Sequence, residues 1–184
     1  MEEETLFNPD TAVRWYALRD LKRPNAKVKA YEELGELGYE VFTPLRWEAT
    51  TTAGKRERRR RPVVSDLLFV HTSRHTFDAE IARRATLQYR YARGSQASPM
   101  VVPDSDMSRF ITAVSLSSDP EYYLPEEITP SMYGREVRIV GGPLDGYTGH
   151  LLTAKGRRHK RLLVRLPGLL SVAIEVSPSY LQLL

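Results

Sequence analysis

The chain has no cysteine among its 184 residues, which excludes a disulfide framework, a thiolate nucleophile and a zinc ribbon. Histidine is scarce too, with four. His71 and His75 stand four apart, but no third ligand accompanies them, so no metal is expected. No hydrophobic run approaches the ~20 residues that a membrane helix requires. The N-terminus, MEEETLFNPD, is acidic and does not read as a leader. Neither G-x-x-x-x-G-K-[ST] nor G-x-S-x-G nor a paired-carboxylate motif occurs. The DP and PEE clusters lie where nothing would desolvate them or hold them as acid and base. Together these absences predict a cytoplasmic, non-catalytic protein without a cofactor and with no membrane attachment.

What the chain has in abundance is concentrated positive charge. Its 27 basic and 23 acidic residues give a net charge of only +4. Residues 55–61 (KRERRRR) nevertheless carry +5, and residues 155–161 (KGRRHKR) carry another +5, leaving −6 for the remainder. Compact cationic spots on an acidic body attract polyanions. Nucleic acid leads, because guanidinium groups pair with phosphate oxygens in a fixed fork; an acidic protein surface is the competitor.

The hydrophobic pattern reads as two parts. Residues 13–18 (VRWYAL) predict a buried strand. Ala26, Ala30, Leu34 and Leu37 share one face of a helix that opens at Pro24 and stops at Gly38. Residues 39–43 (YEVFT) predict a second strand. The polar stretch 46–61 reads as a protruding hairpin or loop, and the LLFV run of residues 67–70 as a central strand. A second helix passes through Phe77, Ile81, Ala82 and Ala85, and a half-exposed strand follows near Tyr89 and Tyr91. A third helix after Pro103 places Met107, Phe110, Ile111 and Val114 on one face. The expected order is β-α-β-β-α-β-α, an α+β domain with an antiparallel sheet and flanking helices. Residues 117–131 hold three prolines and four acidic residues without periodicity, which predicts a linker. Beyond them, strand-like runs at 136–140, 151–153, 162–166, 170–176 and 180–184, separated by Gly and Pro turns, predict a small β-barrel. The expected division is an acidic tail (1–12), a first domain (13–116), the linker (117–131) and a second domain (132–184).

Arg14-Trp15-Tyr16-Ala17-Leu18, the helix after it and the strand SDLLFVHT resemble the N-terminal (NGN) domain of the NusG family of transcription elongation and antitermination factors. Residues 134–152 (GREVRIVGGPLDGYTGHLL) look like a KOW motif, which the family carries as an SH3-like barrel. The chain looks closer to the specialised UpxY-type paralogues than to a housekeeping member. There are departures: Ser65, Asp66 and Leu67 stand where the family usually has a Pro-Gly pair followed by tyrosine. Residues 78–81 do not repeat the histidine-threonine stretch with which a specialised relative reads non-template DNA.

The resemblance implies a factor that sits on the clamp helices of RNA polymerase through Val64, Leu67, Phe69, Met107 and Phe110, an exposed apolar patch. It implies that the hairpin residues Lys55, Arg56, Arg58, Arg59, Arg60 and Arg61, with Arg83 and Arg84 as lesser candidates, contact upstream or non-template DNA or nascent RNA. It further implies that Lys155, Arg157, Arg158, Lys160, Arg161 and Leu166 serve RNA, a ribosomal protein or a termination factor. A monomer is expected. The rival reading is a ribosome-associated RNA-binding KOW protein. Pro167-Gly168 and the β-branched Val172, Ile174 and Val176 oppose the helical refolding known in one relative, so residues 131–184 are expected to stay in strands and to leave the N-terminal surface uncovered.

Overall fold

A computed structural model describes residues 10–23, 26–52, 54–92, 94, 98–153 and 160–184. The fold is α+β, and the chain divides into two compact units between Pro103 and Asp104.

In the first unit β1 (Arg14–Asp20) is the middle strand of an antiparallel sheet. On one side it pairs with β5 (Leu67–Thr72), which in turn pairs with β2 (Glu40–Phe42). On the other side β6 (Leu87–Tyr89) and the two-residue β7 (Val101–Val102) share its edge. The LLFV run is thus interior, as an unbroken apolar strand should be. Register then sets the faces, because side chains alternate along a strand. Tyr16 stands opposite Val70 and Leu18 opposite Leu68. These four form a core with Ala30 and Leu34 of α1 (Ala30–Glu36), Phe77 of α2 (Arg74–Arg83), Leu87 and Tyr89. Phe77 meets Tyr39 and Tyr89 edge-on, with ring centroids 5.2 and 6.3 Å apart.

The first helix begins six residues later than the expected Pro24. Asp20, buried at the end of β1, accepts from the Lys22 and Ala30 amides at 3.0 Å each. A buried carboxylate needs such donors. It takes the Ala30 amide as the helix opens, where that group has no intrahelical partner, and so links the end of β1 to the start of α1. The second helix starts at a cap, where the Ser73 hydroxyl accepts from the Thr76 amide at 3.3 Å.

Tyr89 carries a titration consequence. Burial, and then the bond its hydroxyl donates to Asp78 at 2.8 Å, push its pKa far above the usual tyrosine value. The folded chain therefore keeps this proton at pH values where the unfolded chain releases it, so stability is full below about pH 10 and falls as pH rises past it. Burial likewise raises Tyr16, Tyr31 and Tyr147. The Tyr89→Phe variant should lose stability less steeply between about pH 9 and pH 11. Urea midpoints across that range check it; a slope equal to that of the parent would contradict the assignment.

The second unit is a six-stranded antiparallel sheet. Its central strands are β9 (Tyr133–Ile139), β10 (Thr148–Leu152), β11 (Arg161–Leu166) and β12 (Leu170–Glu175), paired in sequence. β13 (Leu181–Leu183) returns to β9, and β8 (Glu121–Tyr123) pairs with β12. Among the described residues of 131–184 the regular structure is these strands with short 3-10 turns and no α-helix, as expected. In β11 and β12 consecutive residues are buried, 162–164 and 170–174, so both faces of these strands are covered. Part of that cover is α3 (Asp104–Leu116), which packs on β11 and β12.

This arrangement departs from the expected division at two places. The third helix lies in the second compact unit and not with the first sheet. The segment 117–131, expected as a linker, contributes β8, in which Tyr122 stands opposite Val172. Helical periodicity reveals that α3 has an apolar face; it does not reveal which sheet covers that face.

Candidate nucleic-acid interface

Residues 45–62 form a sheet of their own. β3 (Leu45–Thr52) and β4 (Lys55–Pro62) pair from Leu45 opposite Pro62 to Thr52 opposite Lys55, and neither strand joins another sheet. Only residues 53 and 54 link them. Gly54 there has φ +80°, the left-handed conformation that a tight hairpin turn requires and that a Cβ disfavours. The arginines of β4 alternate sides along the strand, which halves the crowding of like charge on each face.

The two faces differ in chemistry. One carries Arg46, Glu48, Thr50, Lys55, Glu57, Arg59 and Arg61. Its charges answer one another: Arg46 lies 2.9 Å from Glu48, Arg61 lies 3.6 Å from the same carboxylate, and Arg59 lies 2.8 Å from Glu57. The other face carries Leu45, Trp47, Ala49, Thr51, Arg56, Arg58, Arg60 and Pro62. The guanidinium carbons of Arg58 and Arg60 lie over the Trp47 ring, 5.5 and 5.8 Å from its centroid. Trp47 is nevertheless 59% exposed. Among the described residues, Arg56, Arg58 and Arg60 have no acidic partner. At the hairpin base a groove of about 730 Å³ is lined by the cations Lys27, Lys29, Arg46, Arg59, Arg60 and Arg61 and by the carboxylates Glu32 and Glu48.

The lesser candidates are placed differently. Arg83 pairs with Glu80 at 3.2 Å and Arg84 pairs with the same carboxylate, so their charge is locally answered. Lys155, Arg157 and Arg158 lie outside the described residues. Lys160 is exposed. Arg161 corrects the expectation of a free cation: its side chain is 12% exposed, pairs with Asp119 and Glu121, and donates to the Ala173 carbonyl. Leu166 is buried at the end of β11 and serves the core. Among the described residues, no group of three or more His, Asp or Glu side chains could hold a metal, and no helix is long and apolar enough to cross a membrane.

The family model described as transcription termination factor nusG matches residues 13–111. The chain belongs to the NusG family. Its members are non-catalytic transcription factors that bind RNA polymerase, and elongation and termination are the steps they govern. Among solved structures, one titled "Domain interaction in Thermotoga maritima NusG" is similar, with 16% identity and a TM-score of 0.49 over 93% of this chain and 97% of that one. No curated protein matches the chain.

The NusG-family match runs into α3, so the expected polymerase patch spans both compact units in sequence. Four of its five residues are not exposed. Leu67, Phe69, Met107 and Phe110 are buried, and only Val64 is partly open. Phe69 faces away from the helix-covered core, opposite Ala17 and 6.3 Å from the Phe42 ring. Large apolar side chains gain most by burial, and an apolar strand and helix face say nothing about which partner covers them. The residue missed by the sequence reading is Trp47. A two-residue link at 53 and 54 sets it opposite Arg60 by counting alone, a signal that was legible in principle.

Proposed function

We propose that this NusG-family factor acts on transcribing RNA polymerase by gripping two things at once. The first unit, with the partly open Val64 in the loop before β5, docks on the clamp helices; the hairpin 45–62 holds nucleic acid beside them. The C-terminal KOW-like strands recruit a further partner. Binding of this kind works by shifting the polymerase toward its elongation-competent conformation, with no covalent step. Contact through Met107 and Phe110 would require α3 to expose the face it now buries.

The observation that carries the nucleic-acid half is the row of exposed arginines on a sheet that answers to no core. Exposed guanidinium groups without acidic partners bind phosphate without sequence preference, and salt weakens them. Substituting Arg58, Arg59 and Arg60 together by alanine should weaken oligonucleotide binding and flatten its salt dependence. Each lost phosphate contact removes about 0.7–0.9 from the slope of log K against log salt. Folding should stay within about 0.5 kcal/mol, because the positions are exposed. For the polymerase half, the purified factor is added to a reconstituted transcription reaction. A changed pause lifetime or readthrough is expected; unchanged pausing and readthrough, or retention on ribosomes without polymerase, would overturn the reading.

A further inference from the structure

The hairpin has two faces of similar net charge, and they are not equivalent as binding surfaces. We infer that the face bearing Trp47, Arg56, Arg58 and Arg60 is a binding surface for single-stranded nucleic acid, a base stacking on Trp47 and the backbone lying along the three arginines, while three of the four cations on the opposite face are already engaged by Glu48 and Glu57. The inference rests on the nucleic-acid reading above and narrows it to four residues and one kind of strand.

The first ground is availability of charge. On the opposite face Arg46, Arg59 and Arg61 already have carboxylate partners in Glu48 and Glu57, and a phosphate must displace them. Arg56, Arg58 and Arg60 have no such competitor among the described residues. The second ground is spacing. Alternate residues of a strand lie about 6.7 Å apart, so the three form a straight row along one side of the ribbon. The third is Trp47. A large aromatic side chain left 59% exposed on an isolated ribbon contributes nothing to a core. Beside a cationic row it supplies a π-face, and every unpaired base has one to match. A duplex hides its base faces and would use the arginines alone. The guanidinium groups over the indole are held in place by cation–π attraction, which orients their forks before a strand arrives.

The test uses the full chain and three fluorescent probes: an oligothymidylate, an oligouridylate and a mixed-sequence duplex. Two triple variants remove equal charge from opposite faces, Arg56/Arg58/Arg60→Gln and Lys55/Arg59/Arg61→Gln. The first should weaken single-strand binding at least about tenfold more than the second. Trp47→Ala should weaken it by about 5- to 150-fold, the worth of one base stacked on an aromatic side chain. Oligothymidylate should quench the tryptophan emission of the parent, and Trp47→Phe should abolish that quenching, since Trp15 is buried. The Phe variant keeps the ring and so the fold. Comparing oligothymidylate with oligouridylate assigns the strand to DNA or RNA. Equal losses from the two triples, or duplex binding as tight as single-strand binding and indifferent to Trp47, would refute the face assignment and leave the broader reading standing. Failure of the parent to bind any probe would refute both.

Discussion

Phe77→Ala is expected to remove about 3–5 kcal/mol of stability, a large share of the ~5–15 kcal/mol that holds a domain folded. The size follows from its position. Phe77 is fully buried and is the one buried residue of α2, packed edge-on against Tyr39 and Tyr89. Alanine leaves a void between that helix and the sheet, and the neighbouring rings are too large to collapse into it. The Tyr89–Asp78 hydrogen bond depends on the same docking. Urea unfolding measures the loss, and hydrogen exchange should quicken in α2 and β6 first. A shift under about 1 kcal/mol would mean that α2 is anchored some other way.

Phe110→Ala should be nearly as costly, about 3–5 kcal/mol, and its location is the informative part. Phe110, Met107 and Ala113 are the buried residues of α3, and α3 packs on β11 and β12. Those two strands are buried at consecutive positions, so one of their faces is exposed to water if α3 loosens. The variant should therefore speed amide exchange along 161–166 and 170–175. Had α3 kept to the first sheet, as chain order suggested, exchange in these strands would not change. That outcome would refute the packing described for the second unit.

The contrast between these two helices shows what a sequence reveals and what it conceals. Residues 13–18, the LLFV run and the five C-terminal strand segments were legible because their patterns are local: apolar runs, alternation and Gly or Pro turns. The hairpin was legible as a polar stretch with a central glycine. The start of α1 was not, because it is set by Asp20, ten residues away, and a buried carboxylate looks like any surface acid in sequence. β8 was not, because three prolines and four acids in 117–131 outweigh Tyr122 and Tyr123 until β12 offers them a partner. The burial of four of the five expected apolar contact residues was hidden for the same reason. Leu67, Phe69, Met107 and Phe110 are apolar in any reading, and only the assembled fold decides whether such residues face water or neighbours. The cationic run was seen as one block of charge. Its partition into two faces emerges only when the strand's two-residue period is combined with the placement of Glu48 and Glu57.

The self-contained ladder of β3 and β4 has an evolutionary consequence. These strands pair with each other and with no strand of the five-stranded sheet, so the appendage behaves as a cassette. It can be lengthened, shortened or recoloured with other side chains while the chassis beneath keeps its folding pathway, which leaves ligand preference free to diversify from one descendant to the next.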